Sequence, residues 1–282
     1  MENYIEHSIK IIRKAEEFSH KYYGKPLFVA FSGGKDSQCI YELCRMAGVD
    51  FKAYFSPTTI DPPQVLKFIR EHYPDVEWHK PKESIYTIAE RKMLPTMKVR
   101  WCCSEFKENK GQNDVVITGV RKAESSKRAK RTEFEKTTSN KNNRKSWSYE
   151  QFAGNEETIN HCLGNGNQKL VVSPIIEWRD SQVWHFLNDV AKVPHCSLYD
   201  NGHHRIGCIL CPMSSYKQKV RDCEKFPYVK QKWLETFAKI KQTKHDSIWA
   251  YEPEQIFDWW IRGDSLKKWE SDNFQQQKID FK

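Results

Sequence analysis

Short apolar runs and helical patterns alternate along the first two-thirds of the chain, and this alternation constrains the fold more than any other feature. Five runs have the length and composition of β-strands: Leu27–Phe31, Phe51–Phe55, Val76–His79, Val115–Gly119 and Leu170–Pro174. Helical patterns separate the early runs, at Asp36–Met46, Gln64–His72 and Ser84–Lys92. Because parallel strands are joined by crossover helices, the pattern predicts an α/β fold with a doubly wound, mostly parallel five-stranded sheet.

A glycine-rich turn, SGGKDS, follows the first predicted strand and precedes a helical pattern. A glycine pair lets main-chain N–H groups approach an anion, and the N-terminus of the next helix attracts negative charge. Lysine precedes aspartate here, so the stretch is not a Walker loop. It predicts a phosphate site at the carboxyl edge of the sheet; the alternative is an ordinary strand-to-helix turn. The predicted phosphate-binding residues are Ser32, Gly33, Gly34, Lys35, Asp36 and Ser37.

The sequence has no segment with the character of a membrane span or an export signal. Its first residues, MENYIEHSIKIIRKAEEF, mix acids with periodic isoleucines, which predicts a helix rather than a signal peptide. No stretch approaches the roughly 18 apolar residues of a membrane helix. We therefore expect a cytoplasmic protein with no membrane partner.

A basic stretch from Arg121 to about Gln168 interrupts the alternation. It is too long for an ordinary connection, so it predicts a mobile functional loop or an insertion at about 121–168. The net charge of the chain, +9, fits a nucleotide or nucleic-acid partner, and it also fits a well-solvated surface. Besides Arg121, the basic residues of the stretch are Lys122, Lys127, Arg128, Lys130, Arg131, Lys136, Lys141, Arg144 and Lys145.

The predicted organisation has two parts. Residues 1–175 form a nucleotide-binding α/β domain that carries the basic insertion. Residues 176–282 form a C-terminal region that ends in a helical appendage. The tryptophans of this tail are expected to pack in a core rather than to stack on bases; they are Trp233, Trp249, Trp259, Trp260 and Trp269.

Four of the nine cysteines stand in two pairs, Cys102–Cys103 in WCCSEF and Cys208–Cys211 in GCILCP. An odd number of cysteines without an export signal disfavours a disulfide framework and favours metal or redox chemistry. Four thiolates could bind one tetrahedral zinc ion or a cubane iron–sulfur cluster. Adjacent cysteines suit a cubane better, but the spacing leaves both metals open. A redox CxxC beside two buried cysteines is the third interpretation.

Several ordered motifs resemble two related families. SGGKDS resembles the PP-loop of the ATP pyrophosphatases, in the adenine nucleotide alpha hydrolase superfamily. The paired cysteines, CC…CxxC, resemble the [4Fe-4S] site of adenylyl-sulfate reductases in the PAPS reductase (sulfonucleotide reductase) family. Three more stretches look like motifs of that family in the same order: GVRKAESSKR, SPIIEWRDSQVW and LYDNGHHRIGCILCP. Together the motifs cover roughly Leu27 to Pro212.

The chain also departs from the reductases of that family. Those enzymes attack the sulfate sulfur with a cysteine near the C-terminus, whereas no cysteine follows Cys223 here. Serine or glutamine cannot replace a thiolate in that chemistry. The reductases also carry an eroded phosphate loop, whereas SGGKDS is complete. Both departures favour ATP cleavage, and the nearest resemblance is to the sulfur-inserting proteins of DNA phosphorothioation and related tRNA thiolation enzymes.

The resemblance implies roles for individual residues. ATP would be cleaved to AMP and pyrophosphate to adenylate an acceptor before sulfur replaces its oxygen. Lys35 and the loop would stabilise the departing pyrophosphate, and Asp36 would hold Mg²⁺. Arg121, Arg128 and Lys107 would bind phosphate or the activated group. The [4Fe-4S] cluster would be carried by Cys102, Cys103, Cys208 and Cys211.

The resemblance also implies partners, and it leaves two other functions in view. The expected partners are ATP or another adenine nucleotide, a DNA or tRNA acceptor, and a sulfur-donor protein such as a cysteine desulfurase. One alternative function is a phosphoadenylyl- or adenylyl-sulfate reductase whose thiol nucleophile comes from elsewhere. The other is a non-catalytic nucleic-acid-binding module. Plain interpretations remain for single residues, since Lys35, Arg121, Arg128 and Lys107 could belong to a solvated charged surface and Asp36 could be a helix cap.

Overall fold

The structure is a computed structural model that describes residues 2–137, 145–163 and 168–279. The described residues form two compact units, each assembled from separate segments of the chain. The first unit is drawn from Met1–Ser56, Pro63–Lys80 and Asn109–Ile206, and the second from Pro57–Pro62, Pro81–Glu108 and Gly207–Lys282. The predicted boundary at 175/176 is a different division.

The central sheet lies in the first unit and has seven strands in the order β3-β2-β1-β4-β7-β5-β6. Strands β3, β2, β1, β4 and β7 are parallel, whereas β5 runs antiparallel to both β7 and β6. The strand bounds are β1 Leu27–Phe31, β2 Phe51–Phe55, β3 Glu77–Trp78, β4 Val115–Ile117, β5 Phe134–Thr137, β6 Lys145–Trp147 and β7 Lys169–Val172.

The helices follow the alternation that the sequence predicts. They are α1 Glu2–Tyr23, α2 Lys35–Ala47, α3 Pro63–His72, α4 Ile85–Arg91, α5 Trp101–Cys103, α6 Tyr149–Ala153, α7 Glu156–Leu163, α8 Asp180–His185, α9 Tyr216–Lys225, α10 Pro227–Lys241, α11 Pro253–Arg262 and α12 Leu266–Ile279. Single helical turns lie at Ser104–Glu108, Lys122–Glu124, Phe186–Val190 and Ser247–Ala250.

The core of the first unit explains why its elements form where they do. Strand β1 buries Leu27, Phe28, Val29 and Phe31, as expected for a central parallel strand that is covered on both faces. Helix α1 buries Ile11, Ala15 and Phe18, which recur at helical spacing on one face. The α/β class with a mostly parallel sheet is therefore confirmed.

The predicted strand number, five, is wrong, because the basic stretch supplies two more strands. In its described residues the stretch forms β5, β6, α6 and α7 rather than an irregular connection. Few apolar residues suffice, because Phe134 of β5 stacks on Phe152 of α6 with ring centroids 3.9 Å apart and both rings are fully buried. Lys141 and Arg144 lie outside the described residues.

The predicted domain boundary places α8 in the C-terminal region, whereas the structure places it in the first unit. The physical reason is burial, because Val183 and Phe186 belong to the same hydrophobic core as β1 and α2. Conversely, residues 57–62 and 81–108 precede the predicted boundary but belong to the second unit.

The second unit has a helical core of its own. Ser84 begins helix α4 by accepting a hydrogen bond from the Thr87 N–H, 3.1 Å away, as an N-cap serine does. Trp233 of α10 is fully buried, and its ring centroid lies 4.8 Å from that of Trp260 of α11. Of the tail tryptophans, Trp233, Trp249, Trp260 and Trp269 are buried, which confirms that they pack in a core.

Candidate active site

The glycine loop connects β1 directly to α2. Gly33 has a φ of +72°, and a Cβ there would lie 3.0 Å from the Ile69 side chain and 3.1 Å from that of Val65. Only glycine therefore fits this turn without strain. Gly34 precedes the helix and has no side chain to cap it, so the first N–H groups of α2 are available to other acceptors.

Two serines fix the shape of the loop. The Ser37 hydroxyl donates to the Gly34 carbonyl over 2.7 Å and accepts a hydrogen bond from the Ser32 N–H over 3.1 Å. The Ser32 hydroxyl lies 3.1 Å from the same Ser37 oxygen. The first and last residues of SGGKDS are therefore bonded to each other, and the loop is a single rigid turn.

Lys35 is 4% exposed, so it is not a solvated surface lysine. Its Nζ lies 3.3 Å from Oδ2 of Asp36 and 3.2 Å from Oδ1 of Asp180. Its backbone N–H donates to the Tyr199 hydroxyl over 2.8 Å. Both polar groups of the predicted phosphate-binding lysine are thus satisfied by oxygen acceptors from the first unit.

Arg121 is 3% exposed and binds the same two carboxylates. Its Nε donates to Asp36 Oδ1 over 2.7 Å, and its Nη2 donates to Asp180 Oδ1 over 2.8 Å. A third bond runs from Nη1 to the Trp178 carbonyl, 3.2 Å away. Burial acts to lower the pKa of Arg121, but Asp36 and Asp180 outweigh it and raise the pKa. Lys35 and Arg121 are therefore two buried cations that share two carboxylates, of which Asp36 is partly buried and Asp180 is exposed.

Gly119 allows this cluster to form, because it follows β4 at the point where the chain passes α2. A Cβ at Gly119 would lie 2.6 Å from the Asp36 carbonyl oxygen and 2.7 Å from its carbon, closer than real Cβ atoms come. The glycine of the GVRKAESSKR motif is thus required by a close approach of two backbones.

Arg128 is placed next to the cluster by Glu124. The Glu124 carboxylate forms an ion pair with Arg128 and also accepts a hydrogen bond from the Arg121 N–H, 3.1 Å away. The structure therefore brings together six of the predicted residues of the loop with Arg121, and it links Arg128 to them through Glu124.

Two residues of this site, Asp180 and Tyr199, are missing from the sequence prediction. Asp180 lies in WRDSQVW and Tyr199 in LYDNGHH, two stretches that resemble motifs of the family, but neither residue is among the predicted site residues. The available signal was that both residues lie in stretches that match motifs of the family in the same order. Their contacts with Lys35, 145 and 164 positions away, could be read only from the fold.

The four paired cysteines all lie in the second unit. Cys102 and Cys103 end the short helix α5, and Cys208 and Cys211 lie in the turn before α9. The hydrogen bond to Cys103, burial, and the neighbouring Cys208 and Cys211 raise the pKa of Cys102. The two pairs are therefore close enough to interact electrostatically.

Two cations lie against these sulfurs. Arg100 Nη2 donates to Cys103 Sγ over 3.2 Å, and Lys107 Nζ lies 3.7 Å from Cys208 Sγ. Hydrogen bonds from Cys102 and Arg100 lower the pKa of Cys103 to about 5. Lys107, predicted to act with Arg121 on phosphate, thus contacts a cysteine of the second unit.

The turn between Cys208 and Cys211 is held by its own backbone. The Ile209 N–H donates to the Ile60 carbonyl over 2.9 Å, and the Leu210 N–H donates to Asp222 Oδ2 over 2.9 Å. Leu210 has a φ of +53°, which bends the chain sharply between the two sulfurs. Among the described residues, no three His, Cys, Asp or Glu side chains are grouped so as to hold a single metal ion.

Three basic side chains of the stretch after Arg121 have acidic partners. Ion pairs join Lys122 to Glu177, Arg128 to Glu124 and Arg131 to Glu135. Lys127 and Lys130 are exposed, and within the described ranges no carboxylate lies at ion-pair distance from either. The surface is thus less positive than its composition suggests. In the described part of the chain no helix is long and apolar enough to cross a membrane.

Comparison with known proteins matches residues 26–214 to a family model described as the phosphoadenosine phosphosulfate reductase domain. Uncharacterized protein MJ0973 of Methanocaldococcus jannaschii is 26% identical over 246 residues, which cover 83% of this chain and 52% of that protein. Uncharacterized protein MJ0066 of the same organism is 26% identical over 272 residues, which cover 92% of this chain and 50% of that protein. The chain therefore spans about half the length of these relatives.

Two solved structures are similar at lower identity. Phosphoadenylyl-sulfate reductase from Candida auris, in a phosphate complex, has a TM-score of 0.43 and 17% identity, covering 72% of this chain and 93% of that chain. FMN adenylyltransferase from Candida glabrata has a TM-score of 0.45 and 16% identity, covering 73% and 61%.

Proposed function

The chain belongs to the phosphoadenosine phosphosulfate reductase family, and we propose that it is a member that cleaves ATP between the α- and β-phosphates. One observation carries the proposal: the SGGKDS loop is complete, and its Asp36 binds two buried cations, Lys35 of the loop and Arg121. A reductase acting on a sulfonucleotide needs no groups for β- and γ-phosphates, whereas this loop offers a full set.

In the proposed reaction an acceptor oxygen attacks the α-phosphorus and the bond to the bridging oxygen breaks. Pyrophosphate then leaves, and the acceptor is adenylated. Lys35 and the N–H groups of the loop stabilise the charge that develops on pyrophosphate. Arg121 has a planar fork of donors that suits a phosphate, and Arg128 is linked to Arg121 through Glu124.

Asp36 is the residue that would hold Mg²⁺. Its two oxygens already accept from Arg121 and Lys35, but a carboxylate has about four lone-pair sites, so each oxygen can still bind a cation. Hard oxygen ligands suit Mg²⁺, and the ion would offset the negative charge of the phosphates.

We also propose that Cys102, Cys103, Cys208 and Cys211 hold a [4Fe-4S] cluster. Four sulfurs around one zinc ion lie about 3.8 Å apart, given Zn–S bonds of about 2.3 Å, whereas cubane thiolates bind different irons and lie further apart. The adjacent cysteines Cys102 and Cys103 suit the larger centre, because the cysteine ligands of one zinc ion are usually separated by intervening residues. Arg100 and Lys107 supply positive charge beside its thiolates. Such a cluster could carry or polarise sulfur for transfer to the adenylated acceptor.

The proposed partners are a DNA or tRNA acceptor and a sulfur-donor protein such as a cysteine desulfurase. Within the basic stretch, Lys127 and Lys130 are exposed and available to a polyanion.

The test is an assay with anaerobically purified protein that resolves AMP and pyrophosphate from ADP and phosphate, with and without nucleic acid. We expect AMP and pyrophosphate, and we expect Lys35→Ala to weaken both ATP binding and turnover. Lys67→Ala is the control, because Lys67 is an exposed lysine of α3 in the same unit. Release of sulfite from a sulfonucleotide with a thiol reductant, without ATP, would make the chain a reductase. Salt-dependent nucleic-acid binding without turnover would make it a binding module.

A further inference from the structure

The charges of the two buried cations, Lys35 and Arg121, are balanced by the protein itself. Lys35 and Arg121 contribute two positive charges, and Asp36 and Asp180 contribute two negative charges. A single oxygen, Oδ1 of Asp180, accepts from Lys35 Nζ at 3.2 Å and from Arg121 Nη2 at 2.8 Å. A carboxylate oxygen between a lysine and an arginine occupies the place that a phosphate oxygen would take.

Asp180 and Asp36 differ in how firmly they are held. The Asp180 side chain is 60% exposed, whereas that of Asp36 is 21% exposed and lies at the start of α2. Asp180 can therefore rotate away from the two cations into solvent without uncovering the core. Asp36 is fixed by its position in the loop and by the close approach of Gly119.

We propose that Asp180 is a specificity-determining residue, which competes with phosphate oxygens for Lys35 and Arg121 and so makes anion binding depend on Mg²⁺. This inference rests on the proposed function of the same site. A free polyphosphate must displace Asp180 and then remains beside two carboxylates. A polyphosphate that carries Mg²⁺ brings a cation to those carboxylates, so the repulsion is offset.

Tyr199 supports the same interpretation from the backbone side. Its hydroxyl accepts from the Lys35 N–H at 2.8 Å, the amide at the first position of α2. The main-chain donor and the side chain of Lys35 are thus both bound to oxygen acceptors of the protein, and a phosphate must take their place. Phosphate binding at this loop is an exchange of acceptors, and the charge of Asp180 sets how readily the exchange occurs.

The experiment measures binding of inorganic pyrophosphate by calorimetry, with excess Mg²⁺ and with EDTA, to the wild-type chain and to Asp180→Asn. We expect the substitution to tighten binding in EDTA on the order of tenfold and to change binding in Mg²⁺ much less, because one negative charge beside the anion is lost. Asp189→Asn is the matched control, since Asp189 is an exposed aspartate of the same unit that pairs with His185.

The ratio of the two affinities separates this role from a structural one. Loosening of Arg121 by the substitution would weaken binding in both buffers alike, and that result would overturn the inference, as would an unchanged ratio. Weaker binding only in Mg²⁺ would also overturn it, because it would make Asp180 a metal ligand. If the folded wild-type chain binds neither ATP nor pyrophosphate, the proposed function fails, and the inference fails with it.

Discussion

Arg121 Nε donates a 2.7 Å hydrogen bond to Oδ1 of Asp36, a residue 85 positions earlier in the chain. The bond joins the segment after β4 to the first turn of α2, and β4 pairs with β1, the strand that leads into α2. Asp36 follows β1 and Arg121 follows β4, so two neighbouring parallel strands place a carboxylate and a guanidinium at one edge of the sheet, where such folds bind ligands. Both partners are needed, because removing one partner of a buried ion pair leaves an uncompensated charge.

Replacing Asp36 with asparagine tests its role in turnover. The amide oxygen of asparagine can still accept from Arg121, whereas the NH2 group takes the place of the oxygen that accepts from Lys35. The substitution therefore keeps the size of the side chain and removes one negative charge. We expect kcat for ATP cleavage to fall about 100-fold or more, while the Kd for ATP changes much less, the pattern of a group that acts mainly in the transition state. Steady-state kinetics and equilibrium binding measure the two quantities. Equal losses in both would assign Asp36 to ground-state binding instead, and Asp189→Asn should change neither.

Replacing Gly119 with alanine tests the close approach of two backbones. The new Cβ would meet the Asp36 carbonyl group at 2.6–2.7 Å, so one segment must shift. We expect a loss of about 1–3 kcal/mol in the free energy of unfolding, measured in urea, together with weaker ATP binding.

Gly154→Ala is the matched control for this substitution. A Cβ at Gly154 meets only the Glu150 carbonyl oxygen, at 3.9 Å, and its φ of −95° is open to alanine. It should therefore leave stability and ATP binding near the wild-type values. Equal behaviour of the two variants would show that α2 and the segment after β4 can separate without cost.

The loop could be predicted from the sequence because its information is local. Strands β1 and β2 have the predicted bounds, since each is a short run rich in apolar residues. Four of the five residues of β1 are buried, as in a strand that is covered on both faces. Gly33 and Gly34 predict a turn, and the pattern of the residues that follow predicts a helix. The contacts of Lys35 are different, because Asp180 and Tyr199 reach it only through the fold.

Strands β5 and β6 show the limit of reading hydrophobicity alone. Strand β5 is FEKT, in which the buried positions are Phe134 and Lys136, so half of its core face is a lysine. Its place in the sheet depends on Phe152, 18 residues later, which covers Phe134. A charged strand that is stabilised by one distant ring has no periodic signal that distinguishes it from a loop.

The exposed lysines of the basic stretch are expected to contact the nucleic-acid acceptor. We predict that Lys127→Glu with Lys130→Glu weakens binding of duplex DNA or tRNA and lowers the slope of log K against log salt by about 2, because each lost phosphate contact removes roughly one released ion. Fluorescence anisotropy over a salt series measures the slope. Reversal of Lys52 and Lys67, two exposed lysines of the same unit, is the control and should leave the slope unchanged. An unchanged slope in the Lys127 and Lys130 variant would show that these lysines belong to a solvated surface.

Cys208→Ser tests the proposed cluster against its alternatives. Anaerobically purified wild-type protein should be brown, contain about four irons and four sulfides per chain, and absorb broadly in the visible range, as cubane clusters held by four cysteines do. The substitution removes a proposed ligand beside Lys107, so the colour and the iron should be lost and the second unit should unfold more easily, because ligation contributes to folding free energy. Cys223→Ser is the control, since Cys223 is a partly buried cysteine of α9 in the same unit and is not a proposed ligand. Stoichiometric zinc without iron would show that the four cysteines form a zinc site. Loss of iron in both variants would show that iron content follows the stability of the unit and not ligation by Cys208.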